Sequence, residues 1–322
     1  MKSLLLRAGL AATLPLGAQS GEPATPRPNR VAWFAVFPEP LPEGRSALAL
    51  EATSQYLRPD RWDSRDGKTT ARLDGEEWQL TGDLARALGP GRLNLRLRVV
   101  NRSGGFADQA FVSWHTAFGI PNGGRELAPK FQFLYHLERN GVVVADLRHA
   151  KTQLLDADLA YIIPFGDEAC GGRGGLSLQL PSGKRADFSG SGGTDGLLGA
   201  MGWKRWGRLR AFLQLEQVFL GVPASNPYRE VLARRRLVRG WAGIGVQGDG
   251  PGFLRGLGLE ISLAGSESPY GVQIGRIDRP GWQQHWIFTH RALPRWRFGI
   301  SEEAGTYTAP DITAFVSVRF GS

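Results

Sequence analysis

The stretch from Asp311 to Phe320 alternates Ile312, Ala314, Val316, Val318 and Phe320 against Thr313, Phe315, Ser317 and Arg319. A period of two, with one continuous apolar face and one mostly polar face, is how a strand reads when lipid lies on one side and a watery lumen on the other. The pattern recurs along the chain. RLNLRLRVV sets Leu93, Leu95, Leu97 and Val99 against Arg92, Asn94, Arg96 and Arg98, and SALALEATS sets Leu48, Leu50 and Ala52 against Glu51 and Thr53. LGLEISL sets Leu257, Leu259, Ile261 and Leu263 against Gly258, Glu260 and Ser262. LSLQL (Leu176, Leu178, Leu180), WRFGIS (Trp296, Phe298, Ile300) and VQIGRI (Val272, Ile274) read the same way. An amphipathic helix would space its apolar residues near 3.6 instead.

Turn signals separate these segments, among them Gly89-Pro90-Gly91, Asn140-Gly141, Gly171-Gly172 and Gly248-Asp249-Gly250-Pro251-Gly252. Past the first twenty residues no run of about 18 apolar residues occurs, so a chain that crosses a membrane here must do so as a closed barrel. The expected fold is all-β: a single closed antiparallel transmembrane β-barrel of about 12 strands, with 10 to 14 as the range, and one short amphipathic helix.

Met1 to Ser20 carry Lys2 and Arg7, the run AGLAATLPL, and Ala18-Gln19-Ser20. This is the layout of a secretory signal, expected to be cleaved after about Ser20. Residues 21–45 hold Pro23, Pro26, Pro28, Pro38, Pro40 and Pro42 and are expected to form an irregular N-terminal arm; residues 46–322 would form the barrel. The expected address is the bacterial outer membrane. A terminal strand closed by an aromatic residue is similar to the assembly signal of outer-membrane barrels, which makes the barrel assembly machinery an expected partner. Gly321-Ser322 depart from that pattern.

Composition fits this class. The chain has 44 Gly, 10 Trp, 16 Phe and 6 Tyr, yet its mean hydropathy is −0.23, as expected when half of each strand faces water. Its formal net charge of +9 drops by two when Lys2 and Arg7 leave with the signal. A basic exported chain meets lipopolysaccharide phosphates and small anionic solutes rather than nucleic acid. The only cysteine, Cys170, leaves no intrachain disulfide to form.

One segment breaks the period. From Ser103 to Glu126, Phe106, Ala110, Trp114 and Phe118 recur every four residues, which predicts a helix near 104–120 with an aromatic face for lipid or a hydrophobic rim. The expected positions are the membrane interface or one end of the barrel, ahead of a plug in the lumen.

Three runs, SGGFADQAFVSWHTAFGIPNGGR (from Ser103), GSGGTDGLLGA (Gly190 to Ala200) and YTAPDITAFVSVRF (Tyr307 to Phe320), occur in order along the chain. In them the chain resembles the proteobacterial family called domain of unknown function 3187. The resemblance implies an outer-membrane barrel and brings no catalytic residues with it.

Arg92, Arg96 and Arg98 form a ladder on the expected lumen face, its members about 7 to 13 Å apart. Glu51, Asp83, Glu260 and Glu302 are the partners available on other strands. The ladder is either part of an ion-paired network that fills the lumen or an anion-attracting constriction. Arg234-Arg235-Arg236 cannot all face one side of a strand and are expected near a strand end, where they can meet lipid phosphates. The Gly-rich run after Gly190 lacks the strand-to-helix context and following Lys of a phosphate cradle and reads as a loop.

Asp108, Ser113 and His115 lie close in sequence on the expected helix and are its candidate hydrolytic residues; His115 and Asp108, seven apart, share a face. Ser113 and His115 are two apart, so on a helix they point about 200° from each other, and no enzyme activity is expected. His136, His149, His285 and His290 show no metal spacing, and no cofactor is expected. Three functions remain: a small pore or solute-binding transport barrel with a basic lumen, a filled barrel with a lipid-binding or structural role, and, last, a lipid-modifying hydrolase.

Overall fold

The computed structural model describes residues 39–42, 47–106, 108–119, 129–184, 189–221, 231–249, 251–252, 255–275, 277–303 and 312–320. The expected signal with its cleavage point, most of the Pro-rich arm and Gly321-Ser322 lie outside them.

Twelve antiparallel strands close on themselves: β1 (Leu48–Asp63), β2 (Thr69–Leu88), β3 (Gly91–Ser103), β7 (Ala157–Gly166), β8 (Cys170–Leu180), β9 (Asp195–Trp206), β10 (Leu209–Phe219), β11 (Arg236–Asp249), β12 (Arg255–Ser266), β13 (Gly281–His290), β14 (Leu293–Glu303) and β15 (Ile312–Phe320). The seam is the pairing of the first strand with the last, in register from Leu48↔Phe320 to Tyr56↔Ile312. The circle is completed where β3 pairs with β7 from Arg92↔Ile162 to Arg96↔Asp158. Closure leaves no barrel strand with a free edge, as a hydrocarbon environment demands. Among the described residues no helix is long and apolar enough to cross a membrane, so the crossing falls to the strands.

The alternation seen in the sequence sorts side chains between wall faces. Leu50, Leu80, Leu84, Leu97, Leu176, Leu178, Leu213, Leu215, Ile261, Leu263 and Ile300 stand outward and exposed. Their chain neighbours Glu51, Thr81, Arg96, Ser177, Gln214, Glu260, Ser262 and Ser301 point inward and are buried. Exposed aromatics border the apolar band: Phe165, Trp206, Trp296 and Phe320 at one end, and Trp78, Phe219 and Trp282 toward the other. Two such girdles mark the two lipid–water boundaries.

The ends differ. One carries tight turns, at 89–90, 167–169, 207–208 and 291–292; the other carries the long connections. Short turns face the periplasm in barrels of this type and long connections face outward. The longest connection, between β3 and β7, holds α1 (Asp108–Phe118), β4 (Leu134–Arg139), β5 (Val142–Leu147) and β6 (Lys151–Leu154). β4 pairs with the upper half of β2, Thr69↔Arg139 to Asp74↔Leu134, and so continues the wall beyond the end of β3. The Asn140-Gly141 turn joins β4 to β5 with both residues at positive φ (52° and 75°), the geometry of a two-residue hairpin.

Three expectations are corrected. Gly171-Gly172 is no turn: both residues lie within β8, paired on both sides, and the turn falls at 167–169. Val272 and Ile274 do not belong to a strand. They sit in the connection between β12 and β13, where Gln273 takes φ 61°, and both are buried. Two apolar residues in alternation are too short a pattern to distinguish a strand from a loop with its own core. Phe106 is not part of the helix either. The backbone bends at Gly104-Gly105, α1 begins at Asp108, and Phe106 stacks on the outward Trp78 with ring centroids 5.9 Å apart.

Val272 and Ile274 belong to the largest apolar cluster among the described residues, with Trp62, Ala71, Leu73, Phe133, Tyr135, Leu137, Ala145, Val231, Tyr270 and Ile277. These residues come from β1, β2, β4 and β5 on one side of the rim, and from the β10–β11 and β12–β13 connections on the other. Backbone bonds tie the pieces together: Arg65 donates to Gln273 O, Gly271 to Val231 O, and Ala233 to Pro269 O. This cluster, which joins separate parts of the rim, is an apolar lid over part of the loop-end mouth. Fully burying each large side chain in it contributes about 1.5–3 kcal/mol.

Candidate functional site

Below the lid, a short piece of the N-terminal arm lies inside the barrel. Glu39 is 8% exposed and Leu41 0%. A Pro at each of positions 38, 40 and 42 denies this segment the donors that a sheet would need, so it crosses the lumen as an irregular strap rather than joining the wall.

On one side the strap meets β3. Arg98 donates from Nη1 to Glu39 Oε1 at 2.9 Å, and Arg96 donates from Nη1 to the Pro40 carbonyl at 3.1 Å. Both guanidiniums are held from behind. Arg96 grips Asp83 with two prongs, at 2.6 and 3.2 Å; Arg98 meets Asp158 at 3.0 Å and the Asp156 carbonyl at 2.8 Å. A two-pronged arginine pair fixes orientation as well as charge.

On the other side the strap meets β10, four places round the twelve-strand circle from β3. The Leu41 N–H donates to Glu216 Oε1 at 2.9 Å. Glu216 is held in turn by Arg239 Nε, at 2.6 Å from its Oε2, and by Gln214 Nε2, at 2.6 Å from its Oε1. Arg173 on β8 donates to Gln214 Oε1 at 3.2 Å. The Leu41 side chain packs with Leu197, Val218, Leu220 and Leu237. Gly199 makes room for it: a Cβ there would stand 2.7 Å from Glu216 Cγ and 3.2 Å from Leu41 Cδ1.

Of the residues the sequence points to, Arg96 and Arg98 converge on the strap. Arg92 lies nearer the turn end of β3. Among the partners considered for the ladder, Asp83 takes Arg96, while Glu260 pairs with Arg210 and Glu51 accepts a bond from Thr53 at 3.0 Å. Glu302, exposed, accepts from Gln284 at 3.4 Å. Arg234 and Arg235 sit in the connection ahead of β11 and Arg236 opens the strand. Arg234 meets Glu267 at 3.2 Å and Arg236 lies 5.9 Å from the Phe219 ring centroid. The Gly-rich loop after Gly190 is tied to the wall by Asp156, whose carboxylate accepts the N–H groups of Gly183 and Ser191 at 2.7 Å each.

Ser113 accepts from Gln109 on α1 at 3.4 Å, and His115 is on the same helix; the side chains of Asp108, Trp114 and Phe118 lie outside the described residues. His285 is buried inside the barrel, and His290 accepts the Ala292 N–H at a turn. Among the described residues no group of three His, Cys, Asp or Glu is placed to hold a metal ion.

Sequence reasoning missed Glu39, Leu41, Gln214, Glu216, Arg239 and Gly199. The inward pair Gln214 and Glu216 was open to detection, since AFLQLEQVF alternates as cleanly as the strands singled out above. Nothing in a Pro-rich arm signals that it enters the lumen.

Residues 49–221 match the model of a family described as Protein of unknown function (DUF3187). No curated protein sequence matches the chain. Among solved structures, the COG4313 outer membrane channel from Pseudomonas putida F1 superposes with a TM-score of 0.50 at 9% identity, over 87% of this chain and 97% of that one. The NanC porin gives a TM-score of 0.41 at 8% identity, over 85% of this chain and 100% of that one. The transport unit of the autotransporter AIDA-I from Escherichia coli gives 0.44 at 11% identity, over 88% and 92%. At such identities the likeness is one of fold.

Proposed function

The chain belongs to the family described as Protein of unknown function (DUF3187), and from that premise we propose that it is an outer-membrane transport barrel for small solutes, held shut by its own N-terminal arm. The observation that carries this is the strap at Glu39 to Leu41. It bridges β3 and β10 through three hydrogen bonds and one buried leucine, all of which a withdrawing segment can break. The apolar band, its two aromatic girdles and the closed wall support placement in the outer membrane. Arg234 and Arg236, at the loop end, stand at the height of lipid phosphates and are proposed to meet them. With the strap withdrawn, Arg96 and Arg98 face the lumen and favour anions.

A second reading, a permanently filled barrel, draws on a different observation: Arg173, Gln179, Gln214, His285, Ser301 and Thr313 are all 0% exposed. The two readings part in a liposome-swelling assay. Proteoliposomes carrying the full chain should swell slowly in small anionic solutes, and those carrying Glu39→Gln/Leu41→Ala should swell faster. Equal, slow swelling of both, with folding and insertion verified, would establish the filled barrel and overturn the transport reading.

A further inference from the structure

We propose that the surface gripping the strap is a recognition site for a carboxylate-bearing, peptide-like solute with a branched aliphatic group, and that Glu39 to Leu41 occupy it as a built-in stand-in. This rests on the transport reading above and names the solute class that reading leaves open.

The strap shows what each part of the site accepts. Arg98 takes a side-chain carboxylate, Arg96 takes an amide carbonyl, and Glu216 takes an amide N–H. Leu197, Val218, Leu220 and Leu237 take an aliphatic side chain, over the floor that Gly199 leaves open. Four complementary features in sequence along one short segment read as carboxylate, carbonyl, N–H and isobutyl group: the outline of an acidic–aliphatic peptide or acylated amino acid.

The anchors keep this arrangement without help from the strap. Asp83 clamps Arg96, Asp158 clamps Arg98, and Arg239 with Gln214 clamps Glu216, each through wall residues alone. A site whose polar groups are fixed in advance loses less entropy when a solute enters. It also discriminates: a solute lacking the carboxylate forgoes the charge-assisted hydrogen bond that Arg98, already oriented by Asp158, offers it. The strap and a free solute of this chemistry then compete for the same groups. Solute binding and arm withdrawal become one equilibrium, in which a segment tethered to the barrel competes through its high effective concentration.

The test is calorimetric titration of acetyl-Glu-Pro-Leu-amide, and separately of acetyl-Gln-Pro-Leu-amide, into the full chain and into the full-length Glu39→Gln/Leu41→Ala variant in detergent. Folding is checked by heat-modifiable gel migration and far-UV circular dichroism. The glutamyl peptide should bind the variant at least about tenfold tighter than the unaltered chain, and the glutaminyl peptide should bind the variant about tenfold more weakly than the glutamyl one. Equal affinity of the two peptides for the variant, or no gain from weakening the strap, would overturn the proposal. Adding Arg98→Gln should erase the difference between the peptides; if that chain does not fold, the comparison of the two peptides already decides. Faster swelling without peptide discrimination would leave the transport reading standing and remove this one. Peptide discrimination without swelling would do the reverse.

Discussion

Leu41 and Glu216, 175 residues apart in the chain, are joined inside the barrel by a hydrogen bond of 2.9 Å from the Leu41 N–H to Oε1 of the carboxylate. The same carboxylate receives Arg239 from the neighbouring strand and Gln214 from its own. One side chain therefore couples the arm to the wall, and it does so beside the apolar cluster that takes the leucine. Occupancy of the lumen and stability of the wall are linked at this point.

Glu216→Gln should destabilise the barrel as well as loosen the arm. Glu216 and Arg239 have side chains 0% and 7% exposed, so removing the carboxylate takes a charged partner away from a buried guanidinium. Breaking one partner of such a pair costs about 3 kcal/mol or more. Urea unfolding in detergent should show a lower midpoint with an unchanged slope. A midpoint shift under about 0.5 kcal/mol equivalent would mean that Arg239 is served by other groups.

Gly199→Val should expel the strap. A Cβ at this position already meets Glu216 Cγ at 2.7 Å, and two further methyl groups would occupy the Leu41 pocket. The direct readout is thiol labelling of Leu41→Cys in a Cys170→Ser background: slow labelling where Gly199 is retained, fast labelling once Gly199→Val is added. The overpacking itself should cost about 1–3 kcal/mol.

Ile274→Ala should weaken the lid. Ile274 is 4% exposed within the cluster that joins β1, β2 and β4 to the far connections. Deleting three buried carbons from such a site costs about 2–4 kcal/mol. Faster hydrogen exchange in β4, β5 and residues 270–275, with little change in β8 and β9, would confirm that these pieces open together.

The β4–β5 hairpin, above the membrane band, should respond to acid. Burial pushes the Asp146 carboxyl up, but hydrogen bonds from His136 and Arg148 and the charge of both outweigh it, and the group sits below the ordinary carboxylate range. Its contribution is therefore complete above the unfolded value of about 4 and is lost as pH falls through the lower folded value. Hairpin amide protection, corrected for intrinsic exchange, should decline below about pH 4 and become insensitive to that range in Asp146→Asn.

The wall was legible because lipid and lumen impose a strict period of two, and RLNLRLRVV or LGLEISL can satisfy it in only one way. The ladder arginines were legible for the same reason: parity alone places Arg96 and Arg98 inward. Of their partners, Asp83, which takes Arg96, was among the carboxylates the sequence offered, and those of Arg98 were not. Asp158 and Glu39 reach Arg98 through closure of the circle and the path of the arm, and neither leaves a periodic trace. The lid failed for a related reason. Val272 and Ile274 mimic a fragment of strand, whereas what buries them is a tertiary cluster drawn from separate segments of the rim. Phe106 fell into the four-residue aromatic spacing of α1 although Gly104-Gly105 turns the chain before the helix starts.

The measurement that bears most directly on the account is single-channel conductance of the refolded full chain beside Leu41→Asp, in planar bilayers under a salt gradient. An aspartate at this position sets a second carboxylate against Glu216 within an apolar cluster and drives the strap out. The account predicts silence or rare openings from the unaltered chain and frequent, anion-favouring steps from the variant. Steady conductance from both, or silence from both after verified insertion, would contradict the claim that the arm is the gate.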